Sequence, residues 1–284
     1  MTIVRLSTII YIITESEISE RKVINMDKLG LQIYTVREFT GTPDGLRDTF
    51  LNIRKAGYTS VQTAGQISDI ESAKYYKECA KNADVAICGT HFDWNIIQNN
   101  LDEAMKIHDI LETKNMGIGA MPQDARASKE GLLAFIEKAN AVAGEISKYG
   151  FKFTYHNHSF EFKKFDGKTI MDYLIEGFDK DNVSFVLDTY WVQHGGYDVR
   201  KMLERLAGRV DILHLKDMGA CGANNAPYIT EIGNGNINFE DIIPLGEKIG
   251  VKDFVVEQDM NFATGNSLDS IITSYNYIKE HFMQ

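Results

Sequence analysis

Five short apolar runs in this chain end in residues that can hold a cation or move a proton. They close on Thr90-His91, Tyr155-His156-Asn157-His158, Leu187-Asp188, His214-Leu215-Lys216-Asp217 and Val256-Glu257. Imidazole nitrogens and carboxylate oxygens together suit Mn²⁺, Zn²⁺, Co²⁺ or Mg²⁺. No thiolate stands among them, so a mixed oxygen and nitrogen set points to a catalytic metal rather than a structural one. A single histidine at a strand end is ordinarily a hydrogen-bonded structural residue. Five runs that all close on His, Asp or Glu call for a shared site, because packing has no need of them.

The elements that must carry these residues follow a regular rhythm from Leu29 onward. Strands are expected at Leu29–Tyr34, Ser60–Thr63, Val85–Thr90, Gly117–Ala120, Lys152–His156, Ser184–Asp188, Asp211–Lys216 and Phe254–Glu257. Between them lie amphipathic stretches with helical spacing, such as Leu46, Phe50, Ile53 and Leu132, Phe135, Ile136, Ala139. Strand and helix alternating at this interval imply right-handed βαβ units and a parallel sheet. The chain of 284 residues fits one such domain, and no GxGxxG follows the first strand to favour an open dinucleotide-binding sheet. The expected fold is a single (β/α)₈ TIM barrel over residues 27–284. In that fold the carboxyl ends of all strands share one face, where active-site loops begin.

Composition narrows the partners. Thirty basic against 40 acidic side chains leave a formal charge of −10, which disfavours nucleic acid or an anionic membrane. The three cysteines, Cys79, Cys88 and Cys221, lie far apart without CxxC spacing and suit a reducing, cytoplasmic location. Residues 1–26 are read as an extension outside the barrel, with Met26 as an alternative start. Their apolar run, Ile3 to Ile13, is too short for a membrane span and leads into charged residues instead of a cleavage site. A homo-oligomer is compatible with the sequence, which does not specify one.

Taken together, several motifs resemble the xylose-isomerase-like barrels, which include sugar phosphate isomerases/epimerases, inosose dehydratases, ketose 3-epimerases and a metal-dependent endonuclease branch. The resemblance runs from about Leu29 to the carboxyl terminus. It is carried by Leu31-Gln32-Ile33-Tyr34-Thr35-Val36-Arg37, Tyr155-His156-Asn157-His158 with Glu161-Phe162, Leu187-Asp188-Thr189-Tyr190-Trp191, His214-Leu215-Lys216-Asp217, and Ile232-Gly233-Asn234-Gly235 with Ile237-Asn238-Phe239. It implies one divalent metal bound by a carboxylate at strand five, Asp188 at strand six, His214 at strand seven and Glu257 at strand eight. Strand five departs from the pattern, with His156 where many relatives carry Glu. Glu161, five residues on, is expected as the fourth ligand, with His156 as the alternative. Gln62 likewise stands where many relatives have a strand-two Glu.

The resemblance further implies a small sugar, keto-sugar or keto-polyol as substrate. A metal would polarise its ketone as a Lewis acid while a base removes the neighbouring proton. Reprotonation gives isomerisation or epimerisation; loss of a β-oxygen substituent gives dehydration or glycoside cleavage. His156, His158, Glu161 and Glu257 are the candidate proton carriers, and His91, Trp191 and Lys216 the candidate substrate contacts. Asp217 is expected to anchor the strand-seven loop or Lys216, and Phe92 to join Trp191 in an apolar wall. His108 and His281, in helical stretches, are expected on the surface. The family's 3-epimerases exchange a proton between the strand-five and strand-eight glutamates, so the departures at His156 and Gln62 weigh towards elimination. An AP endonuclease would need more ligands and a basic groove, and a metal-free sugar-binding barrel would not need Asp188, His214 and Glu257.

Overall fold

The structure, a computed structural model, describes residues 29–283; the expected extension over residues 1–26 lies outside them. Eight strands form one sheet: β1 Leu29–Gln32, β2 Ser60–Ala64, β3 Ala86–His91, β4 Asn115–Ile118, β5 Lys152–His156, β6 Val183–Asp188, β7 Val210–Leu215 and β8 Asp253–Val256. Their order is β3-β2-β1-β8-β7-β6-β5-β4, with every ladder parallel. Helices α1 Pro43–Ala56, α2 Ile70–Asn82, α3 Leu101–Leu111, α4 Lys129–Ser147, α5 Ile170–Gly177, α6 Val199–Arg205, α7 Phe239–Lys248 and α8 Ser267–Phe282 follow the strands in turn. This is the expected (β/α)₈ barrel, nearly closed. Among the described residues no helix is long and apolar enough to cross a membrane.

The barrel's last seam, between β3 and β4, is held by hydrogen bonds rather than a full ladder. Phe92 N–H donates to Gly117 O at 2.7 Å, and Gly117 N–H donates to Thr90 Oγ1 at 3.3 Å. A Cβ on Gly117 would stand 2.3 Å from Thr90 O and 2.6 Å from Thr154 Oγ1, so only glycine lets the two strands come this close. Thr90 Oγ1 in turn lies 2.8 Å from His108 Nε2, whose Nδ1–H donates to Ala104 O at 2.7 Å. His108 is therefore fully buried, against the expectation of a surface residue. It ties α3 to the seam, and burial pushes its pKa down to about 4. Phe92 also departs from expectation: it packs edge-on against His108, with ring centroids 5.2 Å apart. His281 is exposed on α8, as expected.

Side-chain alternation along the strands stacks the interior in layers. Val186, Ile212 and Val255 meet inside the barrel with Cys88 against them. A Cβ on Gly30 would touch Val255, and one on Gly89 would touch Ile212. Two residues further along these strands come Asp188, His214, Glu257, Gln32 and His91. The period of two thus places the polar residues directly above an apolar floor.

Candidate active site

The upper layer brings together His156, Asp188, His214 and Glu257, all buried, with one ligand-type atom from each lying within 4.8 Å of the others. Ligand atoms 2.0–2.3 Å from a common ion lie at most about 4.6 Å apart, so the spread matches a metal centre to a few tenths of an ångström. His156 Nε2 is 3.4 Å from Asp188 Oδ2 and 3.9 Å from Glu257 Oε2; His214 Nδ1 is 2.9 Å from Glu257 Oε2 and 3.7 Å from Asp188 Oδ2.

Each imidazole is anchored from behind. His156 Nδ1 lies 2.9 Å from Gly119 O; a carbonyl can only accept, so Nδ1 carries the hydrogen and Nε2 turns its lone pair inward. His214 Nε2 lies 2.5 Å from Gln62 Oε1, which also accepts from Gln32 Nε2 at 2.9 Å. The same logic leaves Nδ1 of His214 facing the carboxylates. A histidine that spends its outer N–H on a fixed acceptor has the geometry of a metal ligand.

Asp188 is positioned just as tightly. Its backbone N–H donates to Asn157 Oδ1 at 2.9 Å, and its Oδ1 accepts from Trp191 N at 2.9 Å, capping the short helix Thr189–His194. Oδ2 is left for the site. Lys216 is 1% exposed, and its Nζ contacts Asp188 Oδ2 at 3.2 Å, Glu257 Oε2 at 2.8 Å and Asp259 Oδ2 at 3.1 Å. Burial disfavours the charge on Asp188 and Glu257, yet the Lys216 ammonium and the two histidines outweigh it and hold both carboxyls below their ordinary range. Burial also works against Lys216, but Asp188, Glu257 and Asp259 keep it an ammonium. Burial lowers the proton affinity of His214, and Glu257 and Asp188 reverse that and raise it. The field that favours a proton on His214 Nδ1 equally favours a cation among these groups.

Glu161, the expected fourth ligand, lies outside this group. It is fully buried, accepting from Tyr155 Oη at 2.7 Å and from His158 N at 2.8 Å. Burial pushes its pKa up to about 8, against hydrogen bonds that pull it down. The 3₁₀ turn Phe160–Phe162 folds the carboxylate back onto β5, where Tyr155 claims it. His156 takes the inward position because it is the last residue of β5.

His91, His158 and Trp191 rim the site. The His91 ring lies tilted against His156 and His214, with centroids 4.8 Å and 5.5 Å away, and its Nδ1 is 3.3 Å from Gln32 Nε2. His158 sits 4.8 Å from His156 and 5.4 Å from Trp191, and burial followed by His156 drives its pKa down to about 3. His91 Nε2, His158 Nδ1, Trp191 Nε1 and Gln62 Nε2 are buried polar atoms with no partner among the described residues. Asp217 points away from the site and accepts from the backbone of Met218, Gly233, Gly235 and Ile237 at 2.8–3.1 Å. It anchors the strand-seven loop. A Cβ on Gly235 would fall 2.3 Å from its Oδ1.

Sequence reasoning missed Gln32, Asp259 and Thr189. Asp259 lies two residues past Glu257, beyond the end of β8, and meets Lys216 Nζ at 3.1 Å. Thr189 accepts from Lys216 N at 3.0 Å and donates to Lys216 O at 2.8 Å; no spacing rule reveals it.

Fold and site together define a (β/α)₈ barrel with a buried centre of imidazole and carboxylate at the carboxyl ends of its strands. A profile of the family described as Xylose isomerase-like TIM barrel matches residues 50–258, and the chain belongs to that family. No curated protein matches the sequence. Among solved structures, it is similar to a sugar phosphate isomerase/epimerase from Parabacteroides distasonis, at 24% identity and TM-score 0.72, covering 89% of this chain and 94% of that one. D-psicose 3-epimerase from Clostridium cellulolyticum, solved with D-tagatose, aligns at 15% identity and TM-score 0.67, covering 90% of this chain and all (100%) of the other. The IolI protein, solved with a zinc atom, aligns at 16% identity and TM-score 0.65, covering 90% and 100%. At these identities the likeness is one of fold.

Proposed function

We propose that this chain is a divalent-metal-dependent enzyme that acts on a small sugar, keto-sugar or keto-polyol by removing a proton beside a carbonyl. The observation that carries the reading is the buried His156, Asp188, His214 and Glu257 group, with each imidazole anchored from outside the site. Those four residues would hold the metal. Two nitrogens and two carboxylate oxygens suit Zn²⁺, Mn²⁺ or Co²⁺ better than Mg²⁺, which favours oxygen alone. A bound divalent ion supplies Lewis-acid polarisation of the substrate carbonyl.

The chain's own groups supply the remainder. Lys216, held as an ammonium, donates a hydrogen bond to oxygen where negative charge develops. Among the described residues His91 Nε2 and Trp191 Nε1 have no partner, and they would meet the hydroxyl oxygens of a polyol. Such atoms cost about 1–3 kcal/mol each if left without a partner, so a ligand rich in oxygen is favoured over an apolar one. Glu257 is the carboxylate placed to take the proton, and His158, whose proton affinity burial lowers, offers a neutral imidazole as a hydrogen-bond partner on the Trp191 side.

Elimination is the second reading, favoured by one observation. With His156 in the ligand group and Glu161 turned to Tyr155, one carboxylate fewer faces the substrate than epimerisation uses. Incubating the metal-loaded protein with ketoses and 3-keto-glycosides in D₂O tests the proposal. Deuterium incorporation beside the ketone, or release of a dehydrated or cleaved product, supports it and decides between the readings. Neither outcome with any keto-sugar, in a protein shown to bind metal, would overturn it.

A further inference from the structure

Lys216 shares its partners with the proposed metal. An ammonium has three N–H donors, and here each finds a carboxylate: Asp188 Oδ2 at 3.2 Å, Glu257 Oε2 at 2.8 Å and Asp259 Oδ2 at 3.1 Å. The first two oxygens are the ones nearest His156 Nε2 and His214 Nδ1. Ammonium and divalent ion therefore draw on the same two oxygens. Asp259 differs: it stands outside the ligand group, and its backbone oxygen accepts from Arg37 Nη2 at 2.9 Å, which fixes that stretch of loop to the one after β1.

We propose that Lys216 is a built-in competitor for the metal, and that Asp259 is the site to which its ammonium withdraws when the metal binds. The inference rests on the metal-dependent reading above. Two like charges close together in a buried site repel strongly, so full contact of Lys216 with Asp188 and Glu257 does not survive beside a divalent ion. Asp259 keeps the ammonium paired and within reach of substrate oxygen. The exchange sets metal affinity, and it moves a charge relative to Trp191, whose ring centroid lies 5.3 Å from Nζ.

The test is Mn²⁺ and Zn²⁺ titration of the metal-stripped full chain by calorimetry, with tryptophan fluorescence read in parallel. Lys216→Met should bind Mn²⁺ at least about tenfold tighter than wild type, within the 5–150-fold range usual for coupled sites. Asp259→Asn, which keeps the lysine but removes its retreat, should bind several-fold more weakly, and should have little effect when introduced into Lys216→Met. Metal should change Trp191 fluorescence in wild type and much less in Lys216→Met. Unchanged or weaker binding by Lys216→Met, or unchanged binding by Asp259→Asn, would overturn the inference and leave the metal site standing. If wild type and Asp188→Asn alike fail to bind either ion, the metal-dependent reading itself fails.

Discussion

Glu161 offers a test of the site's electrostatics that needs no substrate. Burial raises its pKa from 4.5 to about 8. The folded chain thus holds this proton up to about pH 8, whereas the unfolded chain releases it near pH 4.5. Between those values the folded state binds more protons, so stability falls as pH rises. The contribution of the neutral form is complete below pH 4.5 and lost through pH 8. The slope reaches about 1.4 kcal/mol per pH unit, on the order of 5 kcal/mol across the window. Glu161→Gln mimics the protonated acid and keeps an acceptor for His158 N. It should match wild type near pH 4.5 and exceed it in melting temperature by about 10 °C at pH 8, at about 2–4 °C per kcal/mol for a large domain. Thermal melts from pH 4.5 to 8.5 in the presence of chelator measure this. If wild type instead gains on Glu161→Gln as pH rises, the carboxylate is ionised in place, and Tyr155 and His158 N outweigh its burial.

Three further perturbations follow from the packing. His108→Gln should weaken the fold at neutral pH by about 2 kcal/mol through the Thr90 and Ala104 contacts. Because His108 titrates near 4 when folded, wild type should lose stability relative to this variant as pH falls from about 6.5 to 4, which acid denaturation curves would show. Gly117→Ala should cost about 1–3 kcal/mol in denaturant melts, since its methyl meets Thr90 O at 2.3 Å. Asp217→Asn should speed amide exchange at Gly233, Gly235 and Ile237, whose N–H groups it accepts.

Most of the barrel was legible because its strands are short apolar runs separated by helix-period stretches, and their ends fell within a few residues of expectation. Strand β1 ends at Gln32, two residues short of Tyr34, because the Gln32 side chain accepts from Tyr34 N and starts a 3₁₀ turn over Ile33–Phe39. Strand β4 runs over Asn115–Ile118 rather than Gly117–Ala120, since its register follows β5 and not its own composition. The polar strand ends were visible as a pattern, and the family resemblance singled out Asp188, His214 and Glu257. What the sequence hid was tertiary competition for side chains. Tyr155 removes Glu161 from the centre, and Thr90 draws His108 into the seam between β3 and β4. Both outcomes depend on partners 6 and 18 residues away, a separation no local pattern encodes.

The central claim is that His156, Asp188, His214 and Glu257 hold one catalytic divalent ion. Anomalous diffraction from crystals grown with Mn²⁺ tests it most directly. One strong peak is expected about 2.0–2.4 Å from a nitrogen of His156, a nitrogen of His214 and an oxygen each of Asp188 and Glu257, with Lys216 Nζ turned to Asp259. A peak bounded by Glu161 in place of His156, or no peak at the strand ends from a protein that turns over a keto-sugar, would contradict it.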